Sequence, residues 1–274
     1  MSRIGTTFAT LRQRGETALI PFLMAGDPDL DTTLRLAHAA EENGADLLEL
    51  GMPFSDPIAD GPVLQRSAQR ALKHGTSLPR LLELVQEFRR TSALPLILFG
   101  YYNPIFRYGP KRFAADARQS GADGCLVVDL PPEDADELQK WTDAEGLDMI
   151  FLLAPTSGPD RVKRILARAR GFVYYVSLTG TTGARANLPA TLAGKVQALR
   201  RETNLPIGVG FGISSPAQAA EVGAFADAVI VGSAIMKLVE DHLEDGSAVD
   251  QVGKFVRALK ASLSRASTPD RAVK

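Results

Sequence analysis

Apolar positions along the chain fall into short continuous blocks, separated by longer stretches in which polar and apolar residues mix. The blocks lie near Leu19–Met24, Leu47–Gly51, Leu96–Phe99, Cys125–Asp129, Met149–Leu153, Val173–Ser177, Ile207–Val209 and Val229–Val231. They run unbroken rather than alternating, as expected of parallel strands buried on both faces. The stretches between them read as amphipathic helices. Thr32–Glu42 is entered through Asp29 or Asp31 as N-cap, and Pro216–Val222 through Ser215 with Pro216 at the first helical position. A recurring junction leads from helix to strand: a glycine closes the helix, an aspartate follows, and the apolar block begins. It occurs at Gly44–Asp46, Gly121–Asp123, Gly146–Asp148 and Gly223–Asp227. Glycine at such a helix end takes the left-handed conformation without a Cβ penalty.

Eight strands alternating with helices predict an α/β chain folded as a (β/α)₈ TIM barrel, a single domain over residues 1–274 with a polar, frayed tail at 264–274. An open doubly wound sheet satisfies the same alternation by counting alone. The length of 274 suits the barrel, which typically takes about 250 residues. Four segments exceed the minimal repeat. Residues 2–14 predict an extra N-terminal helix. Gly51–Pro62, with a helix near Val63–Lys73, follows strand two. Asn103–Ala117 follows strand three, and the Gly/Thr-rich Leu178–Pro189 follows strand six. The last three read as long loops after strand C-termini, the face on which barrels build active sites.

Composition narrows the function classes. The chain is 45% apolar and 23% charged, ordinary for a folded globular protein. Lys plus Arg number 31 against 32 for Asp plus Glu, a net charge of -1 that gives no electrostatic reason to expect nucleic acid or an anionic membrane as partner. No apolar run approaches the roughly 18 residues of a membrane span, and the opening residues lack the apolar region of a signal peptide. The single cysteine, Cys125, excludes an internal disulfide and a cysteine-based zinc site and reads as core. His38, His74 and His242 have no metal-ligand spacing and are expected to face solvent, so no metal site is expected. The expectation is a cytoplasmic protein.

The candidate chemistry starts with Glu49, set among leucines in Leu47-Leu48-Glu49-Leu50-Gly51. Glutamate is seldom fully buried unpaired. An isolated carboxylate there has its pKa raised by desolvation, which prepares a general acid near neutral pH; the alternative is a salt bridge to a neighbouring strand. The Pro- and Gly-fixed stretch Pro53–Pro62 offers Asp56 and Asp60 as a second carboxylate, and either reads equally well as a turn former. Gly210-Phe211-Gly212 after strand seven and Gly232-Ser233 after strand eight fit a barrel phosphate site, where glycine backbone and the start of helix Ser233–Glu240 hold an anion. Gly180 and Gly183 are candidates to complete it. Tyr101, Tyr102, Tyr174 and Tyr175 stand at strand ends, as pocket or packing residues.

The stretch ELGMPFSDPIADGP, residues 49–62, resembles the α subunits of tryptophan synthase, as do FLMAGDPD, YYNPI, GADGCLVVDLPPE, TGTTG, GFGIS and VGSAI, in the family's order over nearly the whole chain. The resemblance implies a (β/α)₈ lyase that cleaves indole-3-glycerol phosphate to indole and glyceraldehyde 3-phosphate, late in L-tryptophan biosynthesis. It implies no cofactor in this chain, and a β-subunit partner in an α₂β₂ assembly that carries pyridoxal phosphate. It makes Glu49 the general acid/base, Asp60 the carboxylate on the indole N–H, Tyr175 the neighbour of Glu49, and Thr182 a loop residue that meets Asp60 on closure. Gly183, Gly212, Gly232 and Ser233 would hold the phosphate. Phe22, Tyr101, Leu126, Leu153 and Phe211 would line the indole pocket, with Val128 where the family usually has alanine. Other readings are a different phosphate-sugar barrel such as an isomerase, which the lack of a strand-two lysine disfavours, a stand-alone indole-releasing lyase, and a subunit that mainly activates its partner.

Overall fold

All eight apolar blocks form strands, and each pairs in parallel with the next until the last closes on the first. In the computed structural model, residues 2–176, 191–210 and 212–263 are described. The strands are β1 (Ala18–Met24), β2 (Leu48–Gly51), β3 (Leu96–Gly100), β4 (Gly124–Val127), β5 (Asp148–Leu153), β6 (Val173–Val176), β7 (Ile207–Gly210) and β8 (Ala228–Val231). Ala18 of β1 lies in register with Ala228 of β8, so the sheet is a closed barrel and not an open doubly wound sheet. Twelve helices accompany the strands among the described residues: α1 (Arg3–Arg14), α2 (Leu30–Glu42), α3 (Pro62–Lys73), α4 (Leu78–Phe88), α5 (Tyr102–Tyr108), α6 (Pro110–Ser120), α7 (Asp136–Glu145), α8 (Pro159–Arg168), α9 (Thr191–Arg200), α10 (Pro216–Gly223), α11 (Ser233–Asp241) and α12 (Ala248–Leu263). None of them is long and apolar enough to cross a membrane.

Local chemistry sets the helix ends. Asp29, rather than Asp31, caps α2 by accepting the Thr32 amide at 2.6 Å, and Ser215 caps α10 ahead of Pro216. The extra N-terminal helix buries Ile4, Phe8 and Leu11. Phe8 packs on Phe172 with ring centroids 5.7 Å apart, so α1 covers the N-terminal end of the barrel. The connection after β3 is a correction to the sequence reading. It is not a long loop: α5 begins at Tyr102, and α6 follows Gly109 as the ordinary covering helix. The connection after β2 does carry an extended segment, residues 52–61, before α3. Leu178–Pro189 lies outside the described residues.

The repeated Gly–Asp junction acquires a physical reason. The Asp46 amide donates to the Leu19 carbonyl at 3.0 Å, and its carboxylate accepts the Leu19 amide at 2.7 Å. Asp123 clasps Leu96 in the same way, at 2.9 Å in both directions, and Asp227 clasps Ile207 at 2.9 and 3.0 Å. Each aspartate thereby satisfies an amide at the start of the preceding strand, Leu19 being the second residue of β1 and Leu96 and Ile207 the first of β3 and β7, and fixes the register of the pair. Lys260, Arg89 with Arg3, and Arg200 neutralise these three carboxylates, while Asp148 takes the Ser2 hydroxyl.

Candidate active site

Glu49 stands in register with Phe22 of β1 and Ile97 of β3, in the middle of three paired strands. Only 1% of it is exposed, and both carboxylate oxygens lack a hydrogen-bond partner. The alternative of a salt bridge to a neighbouring strand therefore fails among the described residues. With burial as the cause, its pKa is pushed up from 4.5 to about 8. A group of this kind is protonated at neutral pH and has no partner competing for its proton. Phe22 and Phe99 meet edge to face beside it, centroids 5.2 Å apart. Gly51 leaves room for them, since a Cβ there would come within 2.5 Å of the Phe22 ring.

The loop from β2 to α3 separates the two aspartates that the sequence left open. Asp56 is exposed and takes the hydroxyl of its neighbour Ser55. Asp60 is half-buried, with its amide on the Pro57 carbonyl at 3.0 Å and its own carbonyl held by the Gln65 side chain at 3.0 Å. Burial raises its pKa to about 6, opposed by a hydrogen bond from the Tyr101 hydroxyl. That hydroxyl also accepts the Ala59 amide at 3.0 Å, and the Tyr101 ring lies 5.4 Å from that of Phe54. Tyr101 thus fastens the loop to the end of β3, and Gln65 and Phe54 belong to the same fastening.

Two assignments change. Tyr174, not Tyr175, shares the barrel interior with Glu49. Burial and the nearby Glu49 charge both hold the Tyr174 phenol well above its usual pKa, whereas burial alone raises Tyr175. A Cβ on Gly210 would fall 2.2 Å from the Tyr174 hydroxyl. Successive strand residues face opposite sides, so Tyr175 turns to the helical layer. Leu153 is in register with Tyr175 and turns the same way, leaving Leu152, in register with Tyr174, on the interior face. In strands apolar on both sides there is no alternation to reveal this. One signal was present: glycines at 208 and 210 bare one face of β7, and Tyr174 pairs with Gly208.

Leu126 is buried in register with Phe99, on the Phe22 side of the barrel, and Val128, two residues on and half-buried, sends its amide to the Gly100 carbonyl at 2.8 Å. Gly212 has a φ of 79°, a value that suits glycine. Gly232 is the N-cap of α11 and Ser233 its exposed first residue, so the helix presents its unpaired amides beside the ends of β7 and β8. Thr182, Gly183 and Phe211 lie outside the described residues. A cleft of about 440 Å³ opens among Ser2, Arg3, Asp123, Asp148 and Arg170, at the opposite end of the barrel, and it includes neither Glu49 nor Asp60. The unpaired buried carboxylate, rather than cleft volume, locates the chemistry.

The sequence and the fold both have counterparts among known proteins. The Tryptophan synthase alpha chain family model matches residues 8–264. The tryptophan synthase alpha chain of Geotalea uraniireducens is 53% identical over 263 residues, 96% of this chain and 98% of that protein. The crystal structure of tryptophan synthase subunit alpha from Legionella pneumophila superposes with a TM-score of 0.90 at 38% identity, covering 97% of this chain and 99% of that one. A chain of the tryptophan synthase complex from Pyrococcus furiosus matches with a TM-score of 0.82 at 40% identity, over 90% of this chain and 98% of its own length.

Proposed function

The chain belongs to the tryptophan synthase alpha chain family, and from that premise we propose that it is a carbon–carbon lyase performing the α reaction, cleavage of indole-3-glycerol phosphate to indole and glyceraldehyde 3-phosphate. The observation that carries the reading is Glu49, buried without a partner and protonated near neutrality, beneath a loop that supplies a second carboxylate, Asp60.

Cleavage of the C3–C3′ bond needs a place for its electron pair. Glu49 gives its proton to indole C3, which makes the ring an electron sink. Asp60 accepts a hydrogen bond from N1–H and stabilises the positive charge that develops there. The resulting Glu49 carboxylate then takes the C3′ hydroxyl proton as the bond breaks, its electrons return to the ring, and the aldehyde forms. Glu49 ends protonated, as it began. Its pKa near 8 keeps the acid form at pH 7, and Asp60 near 6 is mostly ionised there. Tyr174 packs beside the acid. Gly212, Gly232 and Ser233, with Gly183, hold the phosphate, and Thr182 meets Asp60 when the site closes. Phe22, Tyr101, Leu126, Val128 and Phe211 bound the indole, with Phe99 and Leu152 on the same face.

No cofactor is needed for these steps in this chain; pyridoxal phosphate belongs to a β subunit, which we place with this chain in an α₂β₂ assembly in the cytoplasm. Ile58 at 87% and Phe106 at 59% exposure are the large apolar side chains left open among the described residues, both on connections at the C-terminal face, where a partner would cover them. The test is to supply the purified chain with indole-3-glycerol phosphate, with and without a β subunit, and measure indole. Indole in either case supports the lyase, and its rate without the partner separates a stand-alone lyase from a partner-dependent one. No indole under both conditions overturns the reading.

A further inference from the structure

Arg70 ties together α3, α11 and the connection after β1. Its guanidinium binds Asp27 through two bonds of 2.7 and 2.8 Å and reaches Glu240 through a third of 2.8 Å. Asp27 is fully buried in the connection after β1 and also takes the Ser67 hydroxyl. Glu240 sits in the last turn of α11 and receives two further bonds, of 2.7 and 2.8 Å, from Arg66. Arg66 and Arg70 are one turn apart on α3, the helix that begins at Pro62, two residues after Asp60. Gln65 on the same helix holds the Asp60 carbonyl. At the other end of α11, about 10 Å from Glu240 at 1.5 Å per residue, lies Gly232-Ser233. The bridge is unlike an exposed ion pair, for Arg70 is mostly buried and its three-way geometry fixes both helices.

We infer that Arg70 and Glu240 are positioning residues, which hold the phosphate-end helix α11 as one body with α3, the helix that follows Asp60 and holds its carbonyl through Gln65. On this account the phosphate does more than anchor the substrate. Its binding free energy fixes α11, and through Glu240 and Arg70 it fixes Asp60 over the indole ring, so phosphate contacts are spent on the rate of the chemical step. The inference rests on the lyase reading above and names the means by which the distant phosphate serves the reacting end.

The experiment compares indole-3-glycerol phosphate with its dephosphorylated form, indole-3-glycerol, as substrates of the full chain with its β partner. The variants are Glu240→Gln and Arg66→Gln; Asp27 is spared because its loss strands Arg70 in the interior. For Glu240→Gln we expect kcat on the phosphorylated substrate to fall about tenfold, within the range found for coupling residues remote from both ligands, with KM little changed. Cleavage of the dephosphorylated substrate should be unaffected. Arg66→Gln should show a smaller loss, since the Arg70–Glu240 bond remains. Equal losses on both substrates, a loss confined to KM, or no loss would each overturn the inference. Failure of the wild-type protein to cleave either substrate would count instead against the lyase reading.

Discussion

The two ends of the barrel treat buried carboxylates in opposite ways. At the N-terminal end, Asp46, Asp123 and Asp227 each accept a strand amide and each face a lysine or arginine. Toward the C-terminal end, Glu49 is buried still more completely and, among the described residues, has no partner. The first arrangement compensates desolvation with hydrogen bonds and charge, and its product is register and stability. The second leaves desolvation uncompensated, and its product is a proton held ready at neutral pH. Asp123, 3% exposed, is buried almost as fully as Glu49 at 1%, so between these two the partner, not the burial, separates a structural carboxylate from a chemical one.

Exchanging the two behaviours should break the protein in different ways. Glu49→Gln keeps the shape and removes the proton; indole formation should fall by about 10²–10⁴-fold or more, while the melting temperature does not drop. Asp123→Ala should do the reverse. It strands Arg89 and frees the Leu96 amide, costing about 3–5 kcal/mol in denaturant unfolding, with kcat retained in the protein that stays folded. Gly232→Asp places a negative charge at the start of α11 and should raise KM for the phosphorylated substrate roughly tenfold or more, equivalent to about 1.4 kcal/mol, and an unchanged KM would remove Gly232 from the phosphate site. Tyr174→Phe should lower kcat several-fold and Tyr175→Phe should not, and the opposite pattern would restore Tyr175 to the interior.

The pH dependence sharpens the same contrast. The lyase needs Asp60 ionised and Glu49 protonated, so kcat/KM should rise through about pH 6 and fall through about pH 8. Stability carries the matching sign. Glu49 has a folded pKa above its unfolded value of 4.5, so its contribution is fully present below pH 4.5 and is lost as pH rises through about 8. Glu49→Gln lacks that loss. Thermal unfolding should therefore find the variant more stable than wild type at pH 8 and the two converging near pH 4.

Much of this was legible in the sequence because it rests on local signals. The eight strands show as apolar runs, the caps of α2 and α10 as Asp29 and Ser215, and Glu49 as a charge where an apolar residue is expected. The Gly–Asp junction was visible as a pattern, but its meaning needed the neighbouring strand, since Asp46 acts on Leu19. The facing of β5 and β6 was barely legible, the glycines at 208 and 210 of β7 being its one sign. Both sides of those strands carry large apolar or aromatic residues, no alternation marks the interior, and a shift of one position exchanges Tyr174 for Tyr175 and Leu152 for Leu153. The helices α5 and α6 escaped notice because Gly109-Pro110 interrupts their periodicity before either repeats. Asp60 and Asp56 were inseparable by composition, and it took the Tyr101 hydroxyl and the Gln65 side chain, folded against the loop, to distinguish them.

Catalysis turns on the protonation of Glu49, and the carboxyl carbon of this residue can be followed directly. A ¹³C NMR titration of the folded chain labelled at glutamate, with Glu49→Gln identifying the signal, should give a midpoint near pH 8. A midpoint near the ordinary value of 4.5 would mean that Glu49 is ionised at neutral pH and cannot be the acid.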